Sequence, residues 1–349
     1  MLKFYDHPSP SNPLSNSLTR KFTMSRFTTS KLIRSLAMAA LLVSPVLGAG
    51  LAHADGVSAQ GITFTAEQAY PEGITWYPAQ KVFFVSSVHT GTIGKVNLQG
   101  LYTPFIQDDK LIASVGLTFD AKRNLLWVAI GDLGASTRSS EATAYKLAAV
   151  AAYDATTGER RAYHDLSNLV QGGHLANDLA VDDAGNVYIT DSFSPVIYRV
   201  NAKGEATVFA QSDLFKGDGF NLNGIVVHPD GYLLVNKYNS GEIFRISTSN
   251  GADIQRVKLP EAVKGADGML LRDNHRLTVV QNAGNDQVVD LVSNDGWESA
   301  TVEPAHKTAY SFPTTAAQVG KDLYVLNSRL DTLLTKEATK VSAYLLQKF

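Results

Sequence analysis

The chain has 349 residues, 44% of them hydrophobic and 18% charged, with a formal net charge of −2. That balance suits a soluble globular protein and offers no basic run, so nucleic acid is not an expected partner. There is no cysteine, which excludes zinc ribbons, thiol catalysis and disulfide frameworks.

Residues 1–23 are polar, rich in Pro and Ser, and without periodicity; they read as an extension ahead of the natural start. Residues 24–54 follow a different plan. Lys31 and Arg34 precede the apolar run LAMAALLVSPVLGAGLA, and Ala52-His53-Ala54 has the small-x-small form of a cleavage site. This predicts a signal peptide, a mature chain beginning near Asp55, and export to the periplasm or beyond. A membrane anchor is the competing reading. Pro45 and the Gly/Ala-rich end shorten the apolar core below the roughly 20 residues a span needs, so no span is expected after cleavage. Residues 55–349 form one domain in this reading.

From Gly61 the strand pattern GITFTAEQ stands alone, and the chain then repeats itself. EGITWYPAQKVFFVSS begins at Glu72, VGLTFDAKRNLLWVAIGD at Val115, NDLAVDDAGNVYITDS at Asn177, NGIVVHPDGYLLVNKY at Asn223 and DGMLLRDNHRLTVVQN at Asp267. A shorter sixth copy starts near Thr315. Each is two alternating strands around a turn, with the second strand expected nine residues after the anchor, at Lys81, Asn124, Asn186, Tyr232 and Arg276. Anchor spacings are 43, 62, 46, 44 and 48 residues. A period in the forties with several strands per unit marks a β-propeller, so the prediction is an all-β, six-bladed propeller of four-stranded blades. The lone strand at Gly61 would complete the last blade beside the C-terminal KVSAYLLQKF, because an open ring leaves unpaired edges. The long interval in blade two carries the polar insertion 131–144, read as a surface loop of functional length. Ser212 to Phe215 predict one short helical turn.

The first strand of each propeller blade lines the channel, so the six anchors face one another near one mouth. Glu72, Asn177, Asn223 and Asp267 would converge there, bringing two carboxylates and two carboxamides. Such hard oxygen donors with a charge of −2 suit Ca²⁺, whereas the lack of His or Cys among them argues against zinc or copper. The plainer alternative is that Asn and Asp favour strand entries as turn residues.

The order Glu, Asn, Asn, Asp on successive strand entries resembles the senescence-marker-protein/gluconolactonase family, with diisopropyl fluorophosphatase nearby and the paraoxonases more distant. The matching residues are Glu72 in PEGITW, Asn177 in HLANDLAVD, Asn223 in NLNGIV and Asp267 in GADGM. The resemblance implies a calcium ion on these four residues that activates lactones or phosphoesters for hydrolysis. Family members of the gluconolactonase type place a substrate-contacting Asn on blade two. Here Val115 stands there with Ser114 beside it, so sugar-lactone specificity does not carry over.

The expectation is therefore an exported, monomeric, calcium-dependent hydrolase acting on a small lactone, ester or phosphoester. Asp267 is the candidate base or nucleophile as well as a ligand. His174, three residues before Asn177, is a candidate catalytic group at the rim, although a loop His is more commonly just hydrogen-bonded. Asp178 reads equally as support for the ligands or as a cap on the strand entry, Asp191 as a structural hydrogen-bonding group, and Phe220 and Trp76 as core or cleft wall. Two rivals stand beside this reading. One is a non-catalytic binding propeller with a structural calcium, and the other is a metal-free enzyme similar to strictosidine synthase.

Overall fold

The computed structural model describes residues 60–333 and 340–349; the expected leader segments 1–23 and 24–54 lie outside the described residues. Six antiparallel sheets follow one another along the chain. Their innermost strands are Ile74–Tyr77, Ala113–Asp120, His174–Val181, Leu222–His228, Ala266–Leu271 and Pro313–Val319. Each is hydrogen-bonded to the strand that follows it in sequence, and each packs against the innermost strands of its two neighbours. This is the six-bladed propeller that the repeat predicts. Among the described residues no helix is long and apolar enough to cross a membrane.

Blade six closes the ring as expected. Gly61–Thr65 pairs antiparallel with Ala343–Lys348, from Gly61 opposite Gln347 to Thr65 opposite Ala343. The strand alternates: Ile62 and Phe64 are buried while Gly61, Thr63 and Thr65 are exposed. That is the pattern of an outer strand with one covered face.

Middle strands obey a different rule. Val82–Val85, Val187–Asp191 and Tyr232–Lys237 are covered on both faces, because each blade is sandwiched between two others. The core is accordingly a ring of separate layers, one at each blade interface. Phe84 and Ile93 meet Leu117 and Val128 between blades one and two. Tyr188 and Ile197 meet Ile225 and Phe244 between three and four. The layer between blades five and six is the smallest, with Val280 and Val288 against Ala316, Leu323 and Val325.

Two local details differ from the sequence reading. The second strands of blades one, two and three begin one residue late, at Val82, Leu125 and Val187. Lys81 and Asn124 are turn residues at φ of 53° each, a left-handed conformation that ends the turn rather than starting a strand. The insertion of blade two is not a free surface loop. Asp132 at its root is fully buried and accepts from Gly134 N at 2.7 Å, Ser139 Oγ at 2.5 Å and Thr143 Oγ1 at 2.7 Å. Thr137 N donates to the His89 carbonyl of blade one at 2.8 Å. Lys146–Leu147 then pairs parallel with His174–Leu175 of blade three. A long polar segment with this many internal partners is held in place. The short turn at Ser212 is present as a 3₁₀ helix, Asp213–Phe215, with Ser212 Oγ accepting from Leu214 N.

Candidate functional site

Every anchor inside an inner strand lies on a register shift. The ladder skips between Ser114 and Leu117, Ala176 and Leu179, Leu222 and Ile225, Ala266 and Met269, and Pro313 and Ala316. The skipped residues include Val115, Asn177, Asn223, Asp267 and Thr315. A bulge leaves one residue outside the ladder and re-aims its side chain, here into the channel mouth. The following residue is glycine in four blades. A Cβ at Gly73 would stand 2.5 Å from the Val115 carbonyl, and one at Gly224 would strike the Asp267 carbonyl. Neighbouring bulges can pack this closely only without side chains at these positions.

The freed backbone groups are satisfied from the ends of the second strands. Ser86 Oγ accepts from Glu72 N at 3.1 Å and Gly73 N at 2.7 Å. Ser192 Oγ accepts from Asn177 Nδ2 at 2.9 Å and donates to the Leu222 carbonyl at 2.7 Å. Asn236 Oδ1 accepts from Gly224 N at 3.1 Å, and its Nδ2 donates to the Asp267 carbonyl at 2.5 Å. Asn282 Nδ2 donates to Asp267 Oδ2, fixing that carboxylate's orientation. Thr314 and Thr315 Oγ1 both donate to the Glu72 carbonyl at 2.7 Å. Through these last two bonds the sixth blade, which contributes no donor of its own, holds the first. The sequence reading missed this supporting set. Its signal was present, since the second strands end in buried polar residues: Ser86-Ser87, Asp191-Ser192, Asn236-Lys237, Gln281-Asn282 and Asn327-Ser328.

Glu72, Asn177, Asn223 and Asp267 are all buried and line one cleft. One oxygen from each, Glu72 Oε2, Asn177 Oδ1, Asn223 Oδ1 and Asp267 Oδ1, is buried without a hydrogen-bond partner. Buried acceptors of this kind are costly, and here the four share one cleft. Among the described residues no three of His, Asp, Glu or Cys gather as a metal-binding group; two of the four donors here are carboxamides.

The electrostatics have the same sense. Burial, then the charges of Asp267 and Asp178, hold the Glu72 carboxyl well above the usual carboxylate range. Burial and the Asp178 charge push Asp267 up to about 8 despite the bond from Asn282. Asp178 itself is raised by burial to about 7. It occupies the position that is glycine in the neighbouring blades, with Oδ1 accepting from Leu179 N at 2.8 Å and Oδ2 from Ile225 N of blade four at 3.4 Å. Two carboxylates and two carboxamides thus share the cleft, and the charge of Asp178, outside its lining, acts on the two acids. Such a set fits a hard divalent cation, with Glu72, Asn177, Asn223 and Asp267 as its protein donors.

His174 is placed elsewhere, and the rim role expected of it does not match the geometry. It is 2% exposed and does not line the cleft. Its Nδ1 lies 2.8 Å from Asp191 Oδ2 and 3.2 Å from the Tyr198 hydroxyl. Asp191 Oδ1 also accepts from Leu175 N, Phe193 N and Ser194 N at 2.9–3.0 Å. The bond to Asp191 raises the His174 pKa above its ordinary value. The ring turns inward because Asp191, already the acceptor for the adjoining turn, offers it a buried partner. Ser114 is likewise committed, accepting from Ser87 N at 2.7 Å. Phe220 and Val115 form cleft wall, while Trp76 packs in the layer between blades six and one.

No protein-family model and no curated protein matches the sequence. Solved structures do match in fold. The major Malassezia sympodialis allergen Mala s 1 aligns over 82% of this chain and 95% of its own at 16% identity, with a TM-score of 0.66. A gluconolactonase from Xanthomonas campestris aligns over 83% and 90% at 17% identity, with a TM-score of 0.54. Virginiamycin B lyase from Staphylococcus aureus aligns over 82% and 98% at 16% identity, also with a TM-score of 0.54.

Proposed function

We propose that the protein is a calcium-dependent hydrolase of a small lactone, ester or phosphoester. The observation that carries this reading is the set of four unpartnered buried oxygens, supplied by four different blades to one cleft. The fold likeness to a gluconolactonase supports it, as does the match of the four residues to that family's motif. Calcium held by this set would supply Lewis-acid polarisation of a carbonyl or phosphoryl oxygen.

The chain's own residues supply the rest. Asn282 pins one oxygen of Asp267, leaving Oδ1 directed into the cleft, where it can take a proton from water or attack the substrate directly. Asn177 is held through Ser192, and the Glu72 backbone through Ser86 and the two threonines, so the donors are positioned before substrate arrives. Val115 and Phe220 wall the cleft and give the reacting group an apolar surround. His174 takes no part in this reading.

The test is turnover of a lactone, aryl-ester and phosphotriester panel with and without chelator, followed by Asp267→Asn at saturating calcium. Chelator should abolish turnover, and the variant should fold and bind calcium more weakly while losing at least about a hundredfold in kcat. Turnover untouched by chelator would remove the calcium mechanism. Full activity of the saturated variant would leave Asp267 as a ligand alone.

A further inference from the structure

Apart from the four oxygen donors, the side chains of the cleft are apolar or already bonded. Val88, Leu133, Leu175, Phe312 and Leu330 form much of its wall. The two remaining polar residues there are Asp132 and Tyr238. The Asp132 carboxylate is engaged by Gly134 N, Ser139 and Thr143 of its own loop. The Tyr238 hydroxyl donates to Asn282 Oδ1 at 2.6 Å. A polyhydroxylated substrate would set its hydroxyls against this wall without partners, which disfavours binding.

The wall continues outward as a line of rings. Tyr238 and Phe220 line the cleft, with ring centroids 5.9 Å apart. Phe193 lies 5.3 Å beyond Phe220, and Tyr145 lies 6.1 Å beyond Phe193. Tyr145 is 54% exposed, while Phe193 and Phe220 are half-buried. The rings come from the segments flanking the first two strands of blade four, the turn after the second strand of blade three, and the residue that follows the blade-two insertion. The backbones of two of these residues are tied down. Phe193 N donates to Asp191 Oδ1 at 2.9 Å, and Tyr145 N donates to the Asp132 carbonyl at 2.8 Å. An aromatic track leading from the cleft to exposed Tyr145 suits an apolar chain or ring, because aromatic rings offer large contact area with few torsions to order.

We propose that the substrate carries an alkyl or aryl arm that lies along Phe220, Phe193 and Tyr145, and that sugar lactones are poor substrates. This rests on the hydrolase reading above. For a lactone, water adds across the ring acyl C–O bond and the product is the open hydroxy acid, with no further reactant required.

The experiment compares δ-dodecalactone, δ-valerolactone and glucono-δ-lactone as substrates of the calcium-loaded wild type, Phe193→Ala and Tyr145→Ala. Calorimetric binding of 1-decanol is measured alongside, independently of turnover. The wild type should favour dodecalactone over both others. Phe193→Ala should lower the dodecalactone-to-valerolactone ratio of kcat/KM on the order of tenfold, mainly through KM, and weaken decanol binding similarly. Exposed Tyr145→Ala should do the same to a smaller degree and carries the test if Phe193→Ala does not fold. A preference for glucono-δ-lactone, an unchanged ratio in both variants, or decanol binding indifferent to them would overturn the proposal. Should no lactone, and no aryl ester or phosphotriester of the panel above, be hydrolysed while Phe193→Ala still weakens decanol binding, the hydrolase reading fails and the aromatic track stands as an apolar binding site.

Discussion

Two buried polar clusters, one on blade three and one shared by four blades, are opposites. Around Asp191 every acceptor is used: three backbone amides, His174 and the Tyr198 hydroxyl converge on one carboxylate. Around Asp267 four oxygens from four blades have no partner, and burial, reinforced by the neighbouring Asp178 charge, raises both the Glu72 and the Asp267 carboxyl. Both clusters are equally hidden from solvent. What separates them is satisfaction, and a folded chain tolerates an unsatisfied set only where something else completes it. Burial alone would have ranked His174 and Asp267 alike as candidates; hydrogen-bond accounting separates them.

The sharpest challenge to this contrast is to break the satisfied cluster. Asp191→Ala strands three amides and an imidazole and should cost about 3–5 kcal/mol. The rise in melting temperature on adding calcium should nevertheless remain in the variant. A variant that keeps wild-type stability, or that loses the calcium increment, would erase the distinction between the clusters.

Next is the unsatisfied cluster. Saturating calcium a hundredfold above Kd should stabilise the wild type by about 2.7 kcal/mol. Glu72→Gln should shrink that increment yet be more stable than wild type in chelator, by about 1 kcal/mol near pH 8, because it removes one of three crowded acids. The sign follows from the raised pKa of Glu72. In the metal-free protein its contribution is fully present below the unfolded value and is lost as pH rises, a loss the glutamine cannot suffer. Chelator melts of both proteins across pH 5–8 would show it, and a variant less stable than wild type throughout would contradict the account.

The smallest expected effect concerns His174. Its folded pKa is raised by Asp191, so the stability it adds is complete below the unfolded value of 6.5 and declines as pH climbs through the folded one. The stability gap between wild type and His174→Gln should therefore narrow above pH 6.5. At every pH both proteins should hydrolyse substrate alike, and a kcat defect in the variant would return His174 to the chemistry.

The blade count and ring closure were legible because they rest on period and alternation. Gly61–Thr65 alternates and has no local partner, and only the far end of the chain could supply one. That Glu72, Asn177, Asn223 and Asp267 share one cleft was legible because the repeat aligned them. Orientation was not. The motif HLAND shows His174 near Asn177, but a bulge between Ala176 and Leu179 decides which side chain faces the channel, and sequence spacing does not encode a bulge. The insertion misled for a related reason. Ser, Thr and Asp look solvent-directed in a sequence, yet Asp132 gathers them inward. The polar endings of the second strands could have been found, since all but one of the quoted copies closes on them; their meaning emerges only once the bulged amides need partners.

The seam of blade six has a consequence in time. Gly61 and Gln347 are partners from opposite ends of the chain, so the first strand must wait until nearly all of the polypeptide has been made. At about 5–20 residues per second of synthesis the wait is on the order of tens of seconds. During it the Glu72 carbonyl also lacks the Thr314 and Thr315 hydroxyls that later hold it. The earliest-made residue of the quartet thus waits for the sixth blade, and a chain cut short before Thr314 leaves the cleft unfinished at its first residue.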